Sequence, residues 1–333
     1  MFFYVYYYKS EGGELFMSMT AKTTARAVNR RSPWKKTLRT FFTRWQMYVL
    51  VLPAIIYVFI FNYLPMYGVQ IALRDFRPSK GITGSTWVGL KYFKKFIELP
   101  LFWDLIRNTL TITIYSLLTF PLPIIFALML NEVRNIKLKK TIQIVSYAPH
   151  FISTVVLCSM LTLFLSGTNG ALNNILAMIG LPTADFLTIP SAFPSIVVWS
   201  GVWQELGWNS IIYIAALAGV SPELIEAAKI DGATRMKIIW HVNIPCILPT
   251  IVILLIMRFG SIMSLGFEKI YLLQNPLNME TSRIIATYVY DLGLLGGKYS
   301  FSAAIGLFNT VINVVLLFIV NFISRKLTEI SLW

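Results

Sequence analysis

Charged residues are scarce in this chain. Only 13% of its 333 residues are Asp, Glu, Lys or Arg, whereas soluble globular proteins contain about 25%. Hydrophobic residues make up 56% of the sequence. This balance excludes an ordinary soluble domain and predicts a protein that crosses a membrane several times.

The chain also has only two cysteines and two histidines, which excludes several kinds of site. Cys158 and Cys246 lie in or beside apolar stretches and show neither a disulfide framework nor a metal-binding spacing. His150 and His241 are far apart in the sequence. No G-x-x-x-x-G-K-[ST] loop occurs, so ATP hydrolysis would require another chain. We expect no metal, no catalytic residue and no cofactor on this chain.

Long apolar segments, by contrast, are abundant. A helix needs about 20 residues to cross a bilayer, and six segments qualify: 47–73, 105–130, 142–166, 194–219, 247–265 and 303–323. Prolines interrupt the first two, and such breaks are tolerated where neighbouring helices cover the freed backbone groups. The sequence therefore predicts an all-α integral membrane protein with six transmembrane helices.

Lysine and arginine are unevenly distributed between these segments. They cluster before the first segment and between the second and third, whereas the connection 167–193 has neither. Because cytoplasmic loops are enriched in these residues, we expect a multi-pass cell-membrane protein with both termini in the cytoplasm. The connection 74–104 disagrees, since it should be external yet contains six basic residues. The net charge of +14 is assigned to the membrane flanks and not to nucleic-acid binding.

Residues 1–46 are predicted to form a cytoplasmic tail ending in an interfacial helix. Hydrophobic residues recur there at helical spacing among basic ones, namely Trp34, Leu38, Phe41, Phe42 and Trp45. This pattern is typical of an amphipathic helix lying in the inner membrane interface. The stretch EGGE before Met17 can be encoded by a purine-rich, ribosome-binding-like sequence, so we hypothesise that translation starts at Met17 or Met19.

The stretch EAAKIDGATRMKIIWHVNIP, which ends at Pro245, is highly charged yet lies between two apolar segments. Ser221 and the proline after it predict a helix start. Glu223 and Glu226 are expected in the opening turn, where the helix dipole favours anions. Gly232 predicts a turn into a second helix, and Pro245 is expected to break the chain where it re-enters the membrane. The sequence thus predicts a short helix-turn-helix, outside the bilayer, that docks to another protein.

This stretch resembles the EAA loop of binding-protein-dependent ABC importer permeases. The matching residues are Glu226, Ala227, Ala228, Asp231, Gly232, Ala233, Val242, Ile244 and Pro245. Ile239 departs from the pattern, because the family usually has an aromatic residue there, and Trp240 stands beside it. The resemblance implies a type I ABC importer permease fold at 47–333. It also implies that a cytoplasmic loop at 220–246 seats on an ATPase subunit.

Further stretches extend the resemblance across nearly the whole chain beyond residue 45. FNYLPMYGVQIALRDFRPSKGI and YAPHFIS are similar to the oligosaccharide-importer branch of the sugar permeases. The resemblance implies a second homologous permease subunit and two ATPase subunits, which bind ATP and magnesium. It also implies an extracytoplasmic solute-binding protein, surrounding lipid and an oligosaccharide substrate.

The resemblance to maltose-importer permeases also suggests a substrate path. The positions that match its sugar-contacting residues are His150, Gln204, Glu205, Trp208, Arg258 and Ser261. Arg258 and Ser261 are three residues apart and so share one helical face. An arginine in contact with substrate indicates a uronate or another acidic oligosaccharide. Two other interpretations stay open, namely that Arg258 and Glu205 neutralise each other between helices, and that His150 is structural.

Two other functional classes would leave different features in the sequence. An ion-coupled secondary carrier should show inverted repeats with broken helices at corresponding positions, and the sequence shows no convincing repeat. A membrane enzyme acting on lipid-linked sugar would need clustered acids or histidines at one membrane face. The permease therefore remains the favoured interpretation.

Overall fold

The computed structural model describes residues 45–168, 170–262, 266–329 and 331–332. The predicted interfacial helix, apart from Trp45, and the two alternative start methionines lie outside these residues. The described part of the chain divides into two units between Pro65 and Met66.

Helices make up most of the described residues. In chain order they are α1 (Trp45–Val58), α2 (Leu64–Met66), α3 (Lys91–Ile97), α4 (Phe102–Leu118), α5 (Pro121–Asn131), α6 (Ile136–Tyr147), α7 (Thr154–Leu165), α8 (Ala171–Met178), α9 (Phe193–Ala218), α10 (Pro222–Ile230), α11 (Arg235–Ile238), α12 (Ile244–Gly260), α13 (Phe267–Leu273), α14 (Met279–Ser282), α15 (Ile285–Tyr290) and α16 (Tyr299–Thr328). Short 3₁₀ and π-helical turns join several of them.

The structure has four to six candidate membrane crossings, a range that includes the predicted six. Four stretches are long and apolar enough alone: Trp45–Leu73, Phe102–Asn131, Arg235–Gly260 and Tyr299–Lys326. Two bent pairs of helices raise the number to six if each pair is one crossing, namely Ile136–Phe151 with Thr154–Leu165 and Pro190–Ala218 with Pro222–Ile230. The pairs bend by 96° and 72°.

The first unit contributes α1, which continues through Pro53 without ending there. A π-helical turn at Phe59–Tyr63 follows, and the rings of Tyr57 and Phe61 lie 4.9 Å apart on successive turns. None of the residues of α1 is buried. The large apolar side chains of this helix therefore suit contact with lipid or with other chains.

The second unit also contains a small two-stranded β-hairpin. Strands β1 (Arg74–Arg77) and β2 (Gly81–Trp87) pair antiparallel, with Arg74 opposite Trp87. The backbone N–H of Phe76 donates to the Ser300 hydroxyl at 2.8 Å, which ties the hairpin to the start of α16. The basic connection 74–104 is therefore a folded element and not a flexible loop.

The third crossing is broken in its middle. After α6 the chain makes a 3₁₀ turn at Ala148–Phe151, and Ile152 is extended with ψ of 124°. The Ser153 hydroxyl then accepts a hydrogen bond from the N–H of Val156 and caps α7. The proline at 149 and this cap together favour ending one helix and starting another, because each suits a helix boundary.

Helix α9 lies at the centre of the second unit. It packs against α5, α6 and α12, and its buried residues include Val197, Tyr213 and Leu217. Gly207 brings it close to α6, because a Cβ added there would collide with the backbone carbonyl of Ser146. The close approach of α9 to α6 places the broken third crossing directly against the polar middle of α9.

Candidate functional site

A cavity of about 700 Å³ opens between the second, fourth and fifth crossings and α13. Four residues of the predicted substrate path line it: Gln204, Glu205, Arg258 and Ser261. Its volume and its mixture of apolar walls with a few polar groups are typical of small-molecule sites. The structure thus brings four of the six predicted residues, from two different helices, to one chamber.

His150 and Trp208, the other two predicted path residues, are not part of the cavity wall. Their rings stack on each other with centroids 4.2 Å apart and planes 4° apart. The Nδ1 atom of His150 lies 3.0 Å from Oε2 of Glu205. One ring face of Trp208 is therefore covered by His150. His150 also connects the broken third crossing to the cavity, through its contact with Glu205.

Gln204 has a second partner at the same break. Its Nε2 donates to the carbonyl of Ile152 at 2.8 Å, where the helix interruption leaves that carbonyl without a helical partner. Buried backbone carbonyls need such partners, because an unpaired one costs free energy. Gln204, Glu205 and Trp208 on α9 thus contact the break at Ile152 and His150. We call these three α9 residues the break latch.

Arg258 reaches the cavity from the end of α12. Its Nη2 donates to the Ser116 hydroxyl at 2.9 Å. Among the described residues, the ion pairs are Arg77–Asp75 and His150–Glu205. The open interpretation that Arg258 and Glu205 neutralise each other is therefore not supported by a direct ion pair, although both residues line the cavity. The Ser261 hydroxyl turns back to the Arg258 carbonyl at 3.3 Å.

Several polar residues of this cavity are not among the six predicted path residues. Ser116, Asn209, Glu268 and Lys269 also line it. Asn209 follows one turn after Glu205 and was visible as a polar residue inside an apolar segment. Glu268 and Lys269 lie beyond the predicted fifth span, and their position depends on how the chain folds back after α12, which spacing alone does not reveal.

The EAA stretch begins with the helix that the sequence predicts. The Ser221 hydroxyl accepts from the N–H of Glu223 at 3.3 Å, and Pro222 is the first residue of α10. Glu223 lies in the first turn of α10. Glu226 does not, because α10 begins at Pro222 and its first turn ends before Glu226. The expectation for Glu226 was wrong, and its carboxylate lies too far along α10 to benefit fully from the helix dipole.

The Asp-Gly-Ala triplet ends α10 in a defined turn. Gly232 has a φ of +73°, and its N–H bonds to the carbonyl of Lys229 at 3.1 Å. The N–H of Ala233 bonds to the carbonyl of Ala228 at 2.9 Å. These two hydrogen bonds form a Schellman motif, which satisfies the last carbonyls of the helix and favours glycine at the left-handed position.

Helix α10 buries none of its own residues. Ala227 is exposed, and so are the large apolar side chains of Leu224, Ile230 and Met236, at 51%, 86% and 62%. Leu224 and Ile230 lie on α10 and Met236 lies on α11, and exposed apolar residues among charged ones are typical of a protein-binding surface. The geometry therefore agrees with a docking role for this element.

Pro245 does not break the chain, contrary to the sequence-based expectation. The stretch Arg235–Gly260 is one continuous candidate span, and a π-helical turn at Ile239–Asn243 directly precedes Ile244 and Pro245. A proline clashes with the carbonyl four residues earlier and lacks an N–H. The wider π-helical turn accommodates both effects, so the helix runs from the docking loop to the cavity without interruption.

Comparison with known proteins identifies the family. Residues 119–329, more than half of the chain, match the family described as binding-protein-dependent transport system inner membrane component. The chain belongs to this family. It is therefore a permease subunit of an ABC transporter, a membrane protein and not an enzyme, and ATP is hydrolysed by separate subunits.

Three similar proteins cover nearly the whole permease subunit. Protein LplB of Bacillus subtilis (strain 168) is 42% identical over 87% of this chain and 91% of LplB. The polygalacturonan/rhamnogalacturonan transport system permease protein YteP of the same strain is 39% identical over 93% of this chain and 98% of YteP. A chain of a bacterial alginate ABC transporter, crystallised with an alginate pentasaccharide-bound periplasmic protein, matches with a TM-score of 0.82 and 40% identity, over 91% of this chain and all of that one.

Proposed function

We propose that this permease subunit imports an acidic oligosaccharide through the 700 Å³ cavity, driven by ATPase subunits that seat on α10. The observation that carries the proposal is Arg258, a cation that lines the cavity and forms no ion pair with a described residue. An unpaired cation inside a membrane protein is costly and favours an anionic partner. The names of similar proteins support this substrate class, since they mention polygalacturonan and alginate.

The working complex contains more than this chain. It includes a second homologous permease subunit, two ATPase subunits and an extracytoplasmic solute-binding protein, and no nucleic acid. The ATPase subunits hold ATP and magnesium. Residues 1–46 form the cytoplasmic amino-terminal part, residues 47–333 form the permease domain, and both termini face the cytoplasm. A secondary carrier or a lipid-linked-sugar enzyme is not supported, because the family is that of ABC importers.

Movements of the ATPase reach the cavity through the two helices that flank the docking loop at 220–246. The coupling residues are Glu226, Ala227, Ala228, Asp231, Gly232, Ala233 and Pro245. Helix α9 enters the loop and α12 leaves it, and these two helices supply Glu205 and Arg258 to the cavity. A rocking of α10 therefore changes the distance between the two sides of the chamber, which suits alternating access.

The proposal is tested by the Ala227→Arg variant in the assembled complex with its binding protein. A long charged side chain on the exposed face of α10 should block seating of the ATPase and abolish ATP-driven oligosaccharide uptake into proteoliposomes. The matched control is Ala177→Arg, the same change at an exposed alanine of α8, which should keep uptake. Normal uptake by Ala227→Arg would reject docking at α10, and absence of uptake by the wild-type complex would reject the transport function.

A further inference from the structure

Lys269 brings a second cation into the cavity. It lies in α13, after the fifth crossing, and is half-buried. Its ammonium nitrogen reaches the facing helix, because a Cβ added at Gly201 of α9 would lie 3.5 Å from Nζ. Gly201 is one helical turn before Glu205, so Lys269 crosses the chamber to the same side of it as the break latch.

The two cations of the chamber come from different elements. Arg258 is near the end of α12 and donates one N–H to the Ser116 hydroxyl. A guanidinium has several further donors in a fixed planar arrangement, and an ammonium has three. Among the described residues, neither Arg258 nor Lys269 forms an ion pair, whereas Glu205 is already held by His150. The carboxylates of Glu205 and Glu268 also line the chamber, and Glu205 attracts both cations without lying within ion-pair distance of either. The remaining donors of both cations can therefore bind a carboxylate of the substrate.

We propose that Arg258 and Lys269 together bind two carboxylates of one uronate oligosaccharide. This inference rests on the proposed function, because it takes the cavity to be the substrate path. Arginine matches a carboxylate with two parallel hydrogen bonds, and lysine acts as a point charge that tolerates varied geometry. The uncharged polar residues Gln204, Asn209 and Ser261 line the same cavity and suit sugar hydroxyls.

The two-cation arrangement makes a demand on substrate length. A single uronic acid has one carboxylate, so it leaves one of the two cations without a partner on the substrate. A chain of at least two uronates satisfies both cations at once, and the second contact then forms at a high effective concentration. The permease subunit should therefore distinguish acidic oligomers from the acidic monomer, independently of the binding protein.

The test uses the full complex of permease and ATPase subunits, without the binding protein, and trigalacturonic acid as the probe. Isothermal titration calorimetry gives the affinity for this probe and for its fully methyl-esterified form, which keeps the sugar chain but removes the charge. Lys269→Gln and Arg258→Gln should each weaken trigalacturonate binding about tenfold, the loss of one charge-assisted hydrogen bond. Binding of the methyl ester should stay unchanged in both variants.

Two further variants separate charge from packing. Lys269→Arg keeps the positive charge and should retain most of the affinity. Glu268→Gln removes a carboxylate that also lines the cavity, and should tighten trigalacturonate binding because it removes a like charge. Equal loss of acid and ester binding in Lys269→Gln would show a packing role only and overturn the inference.

Two other results would also overturn the two-cation site. They are unchanged trigalacturonate affinity in Lys269→Gln, and no binding of this probe by the wild-type complex. Either result leaves the transport function standing if the wild-type complex still takes up an oligosaccharide at the expense of ATP. Failure of that uptake would reject the transport function itself.

Discussion

Gly232 is the residue on which the end of the coupling helix depends. Its φ of +73° is costly for any residue with a Cβ, although an added Cβ would meet no neighbour within 4 Å. The cost is therefore one of backbone conformation and not of crowding. Asp231 and Ala233 flank it in the motif, but neither has a positive φ.

Replacing Gly232 with alanine should weaken the turn by about 1–2 kcal/mol, the cost of placing an L-residue in the left-handed region. If α10 seats the ATPase, the affinity of the purified ATPase subunit for the permease in nanodiscs should fall about 5- to 30-fold. Gly306→Ala is the control, since that glycine lies within α16, lacks a positive φ and has open space around it. Unaltered affinity in Gly232→Ala would contradict this account of the turn.

Asp75 and Tyr92 form a titratable contact outside the membrane-spanning segments. The Tyr92 hydroxyl donates to Oδ1 of Asp75 at 2.6 Å. This hydrogen bond lowers the pKa of Asp75 below its usual 3.8, with smaller contributions from Arg77 and Lys91. Burial, together with the neighbouring carboxylate, raises the pKa of Tyr92 to about 12.

The signs of these two shifts define a pH window. The lowered Asp75 pKa stabilises the fold above pH 3.8 and this contribution is lost as the pH falls through the lower, folded-state value. The raised Tyr92 pKa gives stability that is complete below pH 10 and disappears as the pH rises through about 12.

Tyr92→Phe should thus lower the Tm at pH 7, and the difference in Tm from wild type should shrink in strong acid. Tyr63→Phe, at an exposed position, is the control, and a pH-independent difference would refute the assignment.

The interrupted third crossing is the element that links the cavity to the rest of the fold. Its break leaves the Ile152 carbonyl to Gln204, and its α6 half contacts α9 so closely that Gly207 has no room for a side chain. A broken helix is tolerated in a membrane only where neighbouring protein satisfies its backbone. The break latch fulfils that requirement.

Gln204→Leu should therefore destabilise the protein by about 1–3 kcal/mol, because the carbonyl of the half-buried Ile152 loses its partner. Thermal unfolding in detergent should show a lower Tm, and hydrogen exchange should increase around Ile152 and Ser153. Ser159→Ala on α7 serves as the comparison, since its hydroxyl bonds only to the carbonyl of Val155 in its own helix. A Tm equal to that of wild type in Gln204→Leu would show that the break does not need this hydrogen bond.

Helix boundaries illustrate what local patterns can and cannot predict. Ser221, Pro222 and Gly232 mark the two ends of α10, because capping acts within a few residues of the backbone group that it satisfies. Pro245 gave the wrong expectation, since a proline normally interrupts a helix. The π-helical turn before it, which preserves the helix, has no strong sequence signal.

Orientation in the membrane is a property of the whole molecule. The positive-inside bias predicts a cytoplasmic α10, yet the basic connection 74–104 is expected outside. The structure gives that connection a fold of its own, with Arg74 over the ring of Trp87 at 5.5 Å and Lys95 over that of Phe301 at 5.4 Å. Some of its basic residues thus have a structural role, which weakens their weight as orientation signals.

Cysteine labelling in intact cells tests this orientation. In a background with Cys158 and Cys246 changed to alanine, a membrane-impermeant maleimide should modify Lys94→Cys from outside. It should reach Lys229→Cys only after the cells are opened, and Lys139→Cys should behave in the same way. Labelling of Lys229→Cys in intact cells would invert the orientation and remove α10 from the ATPase side.

Composition and spacing determine that the chain is a membrane protein with several crossings, and they predict six crossings and the coupling loop, because run length, charge bias and helix capping are local properties. The cavity is not local. His150 and Glu205 are 55 residues apart, and Arg258 and Ser116 are 142 apart. Their contacts follow from how α9 packs against its neighbours, and that packing is also what places Trp208 on His150 and Lys269 in the chamber. Which side chains meet across two helices depends on how each helix is rotated about its axis and how deep each residue lies in the membrane. Hydrophobic periodicity predicts only which face of a helix is buried.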